Sequence, residues 1–294
     1  MKNVAILVCN FASFTDDIID KYNIIPISSN LYWPEMDSLV GENIFQKMRD
    51  ALKKGLNSNP KTSQPSMGTF KKYFEEALSK NDELICITIS SKISGTYNSA
   101  LQTKKMFNED SQKKIHIIDS NNIDVAETLL AIKAREIIEQ ESDINSAIQK
   151  IESFIPKLYF YGMTENSAQM EAGGRINHLL AVLLEQMQRM GMRPILHMEN
   201  GEVKAANLKM NARDTASALF RQFEDVNKSE LINKKNFMIA ISHADNINEA
   251  EELRDLFENK YPNQVKVFFT SMTGIFIGSH VGPGTLMCCT LQEN

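Results

Sequence analysis

The sequence contains few cysteines, and they form no arrangement that is typical of a metal site or a disulfide framework. The four are Cys9, Cys86, Cys288 and Cys289, and none belongs to a Cys-x-x-Cys pair. The five histidines show no zinc-ligand spacing either. Cys9 and Cys86 lie in apolar runs, where a thiol behaves as a small apolar side chain. We therefore expect reduced thiols, as in a cytoplasmic protein, and no metal.

Excess positive charge and long hydrophobic runs are also missing. The net charge is −5 and the sequence pI is about 5.7, whereas a surface that binds nucleic acid is usually basic. No apolar stretch approaches the roughly 20 residues that a membrane-spanning helix needs. The first apolar run, Val4–Cys9, is shorter than a signal-peptide core and is typical of a strand. We expect a soluble cytoplasmic protein with no nucleic-acid partner and no stable membrane insertion.

Three motifs that carry nucleotide or hydrolase chemistry are absent from the sequence. There is no Gly-x-x-x-x-Gly-Lys phosphate loop, no Gly-x-Gly-x-x-Gly after the first strand, and no Gly-x-Ser-x-Gly elbow. These absences give a nucleotide enzyme or an ordinary serine hydrolase little support, and we predict no cofactor.

The residues that are present predict two domains. Hydrophobic residues make up 43% of the 294 residues, which is enough for a packed core, and domains commonly have roughly 100–200 residues. Up to Pro156, strands alternate with helices, which predicts a mostly parallel sheet with helices on both faces. Beyond Pro156, Asn200-Gly201 between two apolar runs predicts a hairpin. We expect an N-terminal α/β domain, 1–156, and a C-terminal α+β domain, 157–294.

The most informative stretch of the first domain is a strand that ends in hydroxyl groups and a glycine. The apolar run Leu84–Ile89 is followed by Ser90–Ala100, in which Gly95 separates Ser94 from Thr96. The first turn of a helix favours an anion through its N–H groups and its dipole. Ligands in such sheets bind beyond the carboxyl ends of strands, so the stretch predicts an anion site. Ser94 or Thr96 could equally cap an ordinary helix, which is the more common use of such residues.

A second hydroxyl-rich segment precedes this strand. Residues 62–66 read Thr-Ser-Gln-Pro-Ser, and helix spacing follows them. Pro65 suits the first turn of a helix, and Ser63 could cap it. Capping again explains the segment taken alone, but two such helix starts in one sheet favour ligand binding more than either does by itself.

Three cationic side chains stand in unusual surroundings. Arg175 follows two glycines, so a turn could bring its guanidinium to a ligand, although a surface arginine would look the same. Arg213 opens a predicted helix, where a cation is mildly unfavourable. His280 lies between Gly278 and the Gly-Pro-Gly of 282–284, which indicates a shaped loop in which the imidazole could hold an anion or move a proton.

Four segments in this order resemble the motifs of the DegV family, and together they span nearly the whole chain. The residues that carry the resemblance are Thr62-Ser63-Gln64-Pro65-Ser66, Ile89–Ala100, Gly173-Gly174-Arg175-Ile176, and His280-Val281-Gly282-Pro283-Gly284.

The resemblance implies a bacterial fatty-acid-binding protein of two α/β domains. It implies that an acyl chain such as that of palmitate, stearate or oleate lies in a buried tunnel, with its carboxylate presented at the domain interface. It further implies that a separate ATP-using fatty acid kinase subunit phosphorylates the bound acid, and that the acyl-phosphate enters phospholipid synthesis. The chain itself would then be a lipid-binding protein and not an enzyme.

The same resemblance implies roles for individual residues. Thr62 and Ser94 would hydrogen-bond the carboxylate, with Ser63, Gly95, Thr96 and nearby N–H groups around it. Arg175 and His280 would lie at the tunnel mouth, where they stabilise the acyl-phosphate or dock the kinase. Arg213 corresponds more loosely to an arginine that follows the hairpin.

The chain departs from the family pattern at two points, and two other functions stay open. The first strand ends in Cys9-Asn10 instead of Asp-Ser or Asp-Thr, and Asn211 stands where the family often has arginine. Both changes remove charge near the expected mouth and bear more on kinase coupling than on lipid binding. The alternatives are a lipid or thioester hydrolase with Ser94 as nucleophile and His280 as base, and a scaffold that the lipid only stabilises.

Overall fold

The computed structural model describes residues 3–56, 59–164, 170–171, 174, 176, 178–190, 194–208 and 214–293. These residues form twelve strands and twelve α-helices. The strands are β1 (Val4–Cys9), β2 (Ile24–Ile27), β3 (Asn30–Tyr32), β4 (Lys61–Ser63), β5 (Glu83–Thr88), β6 (Ile115–Asp119), β7 (Leu158–Met163), β8 (Pro194–Glu199), β9 (Glu202–Leu208), β10 (Phe237–His243), β11 (Val265–Met272) and β12 (Leu286–Gln292).

The helices, in chain order, are α1 (Asp16–Tyr22), α2 (Ile44–Lys53), α3 (Met67–Lys80), α4 (Thr96–Lys104), α5 (Glu109–Lys113), α6 (Val125–Gln140), α7 (Ile144–Phe154), α8 (His178–Arg189), α9 (Thr215–Val226), α10 (Lys228–Ile232), α11 (Ile247–Lys260) and α12 (Ile275–Val281).

The chain divides into two compact units, and the first contains a parallel sheet. It comprises residues 3–30, 63–158 and 200–202, and its strand order is β2-β1-β5-β6. All three pairings are parallel. Every residue of β1 and β5 is buried, as expected when helices flank a parallel sheet. The predicted α/β class is confirmed for this unit.

The order of these strands identifies where the first unit should bind a ligand. The chain leaves β1 towards β2 on one side of the sheet, and β5 and β6 are added on the other. The connections therefore diverge between β1 and β5, and open α/β sheets bind ligands beyond the carboxyl ends of strands at such a point. The loops that follow β1 and β5 begin at Asn10 and Ile89.

The second unit is built on a mixed sheet. It contains residues 31–62, 159–199 and 203–293, with strand order β11-β10-β12-β7-β8-β9. β10 is parallel to β11 but antiparallel to β12, and β7 is antiparallel to β8. Its core includes edge-on contacts of Phe223 with Phe237 and Phe257, whose ring centroids are 5.2 and 5.1 Å away. The predicted α+β class is confirmed.

The segment 31–62 packs with the second unit, although it precedes most of the first in the sequence. One anchor is Asp245, whose carboxylate accepts hydrogen bonds from Arg49 Nη1 and, at 3.1 Å, from Asn43 Nδ2. Burial opposes ionisation of Asp245, but these hydrogen bonds hold its pKa below the usual value. The two units therefore do not correspond to a single cut after residue 156, because contacts distant in sequence bind this segment to the later half of the chain.

Local signals explain most helix starts. Asn43 and Asp143 accept hydrogen bonds from the N–H groups of Gln46 and Ser146 at 3.0 and 2.8 Å, as N-cap residues do. The predicted hairpin joins β8 to β9, and its turn residues have positive φ angles, 51° at Asn200 and 82° at Gly201.

Two predicted helix starts are wrong. The cap of α3 is Ser66, whose Oγ accepts from Thr69 N at 3.0 Å, so Ser63 lies in β4 instead. The residue before a proline disfavours helical angles, which explains why the helix cannot begin before Pro65. The cap of α9 is Asp214, whose carboxylate accepts from Ser217 N at 2.6 Å, so this helix begins at Thr215, later than the sequence predicted.

Candidate functional site

A hydroxyl and an imidazole from distant parts of the sequence meet in the second unit. Thr62 Oγ1 and His280 Nε2 lie 2.7 Å apart, within hydrogen-bonding distance, and 218 positions separate the two residues. Thr62 belongs to β4 and His280 to the last turn of α12, and both side chains are half-buried. The fold thus brings together two of the residues that the sequence singled out.

The protonation of His280 decides what this pair can offer a ligand. If Nε2 carries a proton, it donates to Thr62 Oγ1, and the threonine O–H remains able to donate to a third group. If Nε2 is unprotonated, the Thr62 hydroxyl donates to the ring and has only lone pairs left. An anionic oxygen near Thr62 therefore favours the form in which His280 is the donor.

Polar side chains fix the end of the helix that carries His280. The Val281 carbonyl accepts from Thr164 Oγ1 at 2.8 Å and from Thr285 Oγ1 at 2.9 Å. Gly282 then turns the chain with a φ of 78°, a conformation that a side chain rarely adopts. His280 therefore lies in the last turn of a helix that ends at Gly282, and not in the loop that the glycines around it indicated.

The second hydroxyl pair belongs to the first unit and is local. Ser94 Oγ and Thr96 Oγ1 lie 2.7 Å apart, and Thr96 N donates to Ser94 Oγ at 3.3 Å. Thr96 is fully buried. The N-cap of α4 is Gly95 and makes no side-chain capping bond, so the capping role predicted for Ser94 or Thr96 is wrong. Ser94 lies one position too early and forms a turn instead.

Gln64 is a member of this region that sequence reasoning missed. Its Nε2 donates to Ser99 Oγ at 2.7 Å. A Cβ atom on Gly95 would lie only 2.3 Å from Gln64 Oε1, so the glycine makes room for this amide. The available signal was the position of Gln64 between hydroxyl residues in the segment 62–66. The close approach that Gly95 permits involves Gln64, not only a ligand.

The loop between β5 and α4 is held by acceptors from other parts of the first unit. The Asp119 carboxylate accepts from Ser91 N at 3.2 Å and from Asn121 N at 3.0 Å. Ser90 Oγ donates to the carbonyl of Gly201 at 2.7 Å. These bonds fix the backbone that leads to Ser94 without using the Ser94 side chain.

A buried carboxyl group lies near the same end of the sheet. Glu127 is fully buried, and within the described part of the chain neither of its oxygens has a hydrogen bond of normal geometry. Burial raises the pKa of Glu127 well above its usual value and the Asp124 carboxyl adds to the shift, while the Asp124 N–H opposes it only in part. The Asp124 carboxylate itself accepts from Ser13 Oγ. Glu127 is therefore neutral over an extended pH range.

One departure from the family pattern has a local structural role. Asn10 Oδ1 accepts a hydrogen bond from Ser29 N at 3.0 Å, which holds the turn after β2.

Arg175, Arg213 and Asn211 lie outside the described residues, so their predicted roles stay predictions.

The described residues give little support to other chemistries. They contain no group of three or more His, Cys, Asp or Glu side chains that could hold a metal ion, and all four cysteines are buried free thiols. No helix in the described ranges has the length and apolar character needed to cross a membrane.

Comparisons with known proteins agree with this fold. A family model described as "Uncharacterised protein, DegV family" matches residues 3–293. A fatty acid-binding protein of Thermotoga maritima is 29% identical over 295 residues, covering 96% of each chain. The crystal structure of DegV, a fatty acid binding protein from Bacillus subtilis, is 25% identical with a TM-score of 0.79 and covers 100% of both chains. A DegV lipid binding protein from Thermotoga maritima is 26% identical with a TM-score of 0.76, covering 100% of this chain and 99% of that one.

The family model and the structural similarity both extend over nearly the whole chain. They agree with the fold. The chain belongs to the DegV family.

Proposed function

We propose that the chain binds one long-chain fatty acid and that the hydroxyl groups of Thr62 and Ser94 receive its carboxylate. The observation that carries the proposal is the Thr62 hydroxyl held 2.7 Å from His280 Nε2. With His280 as donor, the Thr62 O–H is directed to an anion, and charge-assisted hydrogen bonds are the strong ones. Ser94, backed by the buried Thr96, is the corresponding hydroxyl of the first unit.

The acyl tail supplies most of the affinity in this proposal. Burying a chain of about 16 carbons at about 0.8 kcal/mol per CH₂ gives a gross term on the order of 10 kcal/mol. Loss of translational freedom and ordering of the chain reduce it considerably. The hydroxyl groups then decide which end of the ligand is held, and they contribute about 1–3 kcal/mol each through bonds to a charged group.

We further propose that a kinase subunit acts on the bound fatty acid. Presentation of the carboxylate at the domain interface, and its phosphorylation by a separate ATP-using subunit in the cytoplasm, rest on the likeness of the four motifs to the DegV family. His280 supports this part, because an imidazole that donates to a carboxylate can also donate to an acyl-phosphate. We also propose that the chain itself is not catalytic and that it is cytoplasmic.

Lipid analysis of the purified protein tests the proposal. The full chain is extracted with organic solvent, and the extract is analysed by mass spectrometry. We expect close to one fatty acid per chain, of the palmitate, stearate or oleate type. A protein that carries no stoichiometric lipid and takes up neither palmitate nor oleate would contradict fatty-acid binding.

Two substitutions of Thr62 test whether its hydroxyl group contributes to palmitate binding. Thr62→Val keeps the shape of the side chain without the hydroxyl, and Thr62→Ser keeps the hydroxyl. We expect palmitate to bind about tenfold more weakly to the valine variant, since a hydrogen bond to a charged group is lost, and nearly normally to the serine variant. Ser79→Ala serves as the control, because Ser79 Oγ bonds only the Glu76 carbonyl on an exposed part of α3. Equal affinity for all of these proteins would remove Thr62 from the site.

A further inference from the structure

The segment 31–62 contacts the helix that carries His280 both at His280 and at Gly278. One contact is the hydrogen bond between Thr62 and His280. The other lies one turn before Val281, where the ring of Phe45 in α2 meets Gly278. Both contacts are inside the second unit.

The ring of Phe45 lies where a side chain at position 278 would be. A Cβ atom built on Gly278 would lie 2.4 Å from Cζ and 2.6 Å from Cε1 of the Phe45 ring, and 3.2 Å from Thr273 Cγ2. Ordinary contacts of a Cβ begin at 3.4 Å. The ring therefore occupies a notch on α12 that exists only because residue 278 has no side chain.

The ring has little freedom to leave this notch. Phe45 is fully buried, and its apolar neighbours form one cluster with it: Trp33, Leu39, Ile44, Met48, Ala51 and Ala244. Asp245 adds polar anchors on both sides of Phe45 in the sequence. It accepts hydrogen bonds from Asn43, which precedes Phe45, and from Arg49, which follows it. A well-packed interior transmits a local change in shape to its neighbours.

We propose that Phe45 is a positioning residue for the Thr62–His280 pair. By filling the notch at Gly278, its ring sets the distance between the segment 31–62 and α12, and thereby the 2.7 Å separation of Thr62 Oγ1 from His280 Nε2. Only the consequence for lipid affinity rests on the proposed function. The positioning itself concerns a hydrogen bond inside this chain.

We expect a single methyl group at position 278 to disrupt the pair, because the segment 31–62 would move with the ring of Phe45. Moving the ring from 2.4 Å to an ordinary 3.4 Å contact with an added Cβ requires a displacement of about 1 Å. A separation of 2.7 Å that grows by that amount exceeds 3.5 Å, beyond which no hydrogen bond forms. Gly278→Ala is therefore expected to break the bond between Thr62 and His280 from a distance.

A compensating pair of substitutions tests this coupling. Phe45→Leu removes the Cζ and Cε1 atoms that an alanine at position 278 would meet. The parent, Gly278→Ala, Phe45→Leu and the double variant are labelled with ¹⁵N-histidine, and His280→Gln assigns the His280 signal. Thr62→Val gives the Nε2 chemical shift of an imidazole without this partner. Gly68→Ala and Phe74→Leu are the matched controls, since the nearest described atom to a Cβ on Gly68 would be Ser66 Oγ at 3.6 Å, and Phe74 is buried in the first unit.

We expect the His280 Nε2 signal of Gly278→Ala to move to the Thr62→Val position, and that of the double variant to return. If Gly278→Ala does not fold, Phe45→Leu alone decides, because loss of the ring tip should still move the signal part of the way. Palmitate should bind Gly278→Ala about tenfold more weakly and the double variant nearly normally.

The proposal is overturned if the signal of folded Gly278→Ala stays at the parent position, or if Phe45→Leu fails to restore it. It is also overturned if Phe74→Leu moves the signal as much as Phe45→Leu does, because the effect would then be one of general stability. A parent that binds no palmitate removes the proposed function, whereas the histidine signal still decides the positioning role.

Discussion

The hydroxyl–imidazole pair and the hydroxyl pair of the candidate site are built in opposite ways. Ser94 and Thr96 are two positions apart, and the turn before α4 brings them together. Thr62 and His280 are 218 positions apart and meet only because the second unit folds. A local pair depends on its own loop, whereas a distant pair depends on everything that holds its two elements in register.

The glycines next to the two pairs show the same difference. At Gly95 the close neighbour is the end of the Gln64 side chain, which is flexible. At Gly278 it is the ring of Phe45, which is enclosed by other side chains. A change of shape should therefore be absorbed at the first site and transmitted at the second.

The largest predicted effect is a difference in stability between alanine substitutions at the two glycines. Gly278→Ala should lower the free energy of unfolding by about 2–3 kcal/mol, because an overpacked core cannot relax easily. Gly95→Ala should cost about 1 kcal/mol or less, since Gln64 moves aside and loses its bond to Ser99. Urea unfolding of both variants, with Gly68→Ala as control, measures the difference. Equal losses at the two glycines would contradict the distinction between a flexible and a rigid neighbour.

A second effect belongs to the first unit and depends on pH. Because the pKa of Glu127 is raised in the folded state, the folded protein binds more protons than the unfolded chain above pH about 4.5. Stability that is present below this pH is lost as the pH rises towards the folded pKa, at up to about 1.4 kcal/mol per pH unit.

Glu127→Gln replaces the carboxyl group that titrates with an amide, which does not ionise. The difference in unfolding free energy between the glutamine variant and the parent should therefore shift in favour of the variant from pH 5 to pH 8. Glu75→Gln, on an exposed part of α3, is the control and should show no such trend. A pH-independent difference at position 127 would mean that the parent's carboxyl group ionises normally.

The third prediction compares the hydroxyl groups themselves. Thr62→Val should weaken palmitate binding about tenfold with a small effect on stability, because Thr62 is half-buried and faces a single imidazole. Thr96→Val should weaken palmitate only about threefold but cost about 1 kcal/mol of stability, because its buried hydroxyl supports Ser94. Titration calorimetry and urea unfolding give both quantities. The reverse order would assign the ligand to Thr96 and the supporting role to Thr62.

The smallest predicted effect concerns Asn10, which follows β1 and departs from the usual pattern of the family. Asn10→Asp should change stability by no more than about 0.5 kcal/mol and leave palmitate affinity within about twofold, since a carboxylate oxygen accepts from Ser29 N as the amide oxygen does. Thermal unfolding and palmitate titration check this. A large loss of affinity would mean that an added charge at position 10 acts directly on the ligand.

Much of the fold could be predicted from local patterns in the sequence. The continuous apolar runs of β1 and β5 indicated strands covered on both sides, and Asn200-Gly201 indicated the hairpin, because these features depend on a few neighbouring residues. The wrong helix starts have local causes as well. Ser63 and Ser66 are both good caps, and only the restriction before Pro65 favours the second.

What could not be predicted are the contacts between distant residues. The placement of the segment 31–62 in the second unit depends on Asp245 and on Gly278, about 200 positions away from their partners Arg49 and Phe45. Nothing in the local pattern of α2 distinguishes Phe45 from any other buried aromatic residue. His280 was singled out by the glycines around it, Thr62 by its hydroxyl-rich segment, and both by their resemblance to family motifs, but their hydrogen bond required the fold.

The central claim is that this protein recognises a carboxylate as well as an acyl chain. The most direct measurement compares palmitate with 1-hexadecanol, which has a tail of the same length and no charge, on the parent and on Thr62→Val. We predict that the parent prefers palmitate by at least about tenfold and that the valine variant loses most of this preference while it still binds the alcohol. Equal affinity of the parent for the two ligands, or no binding of either, would contradict the claim.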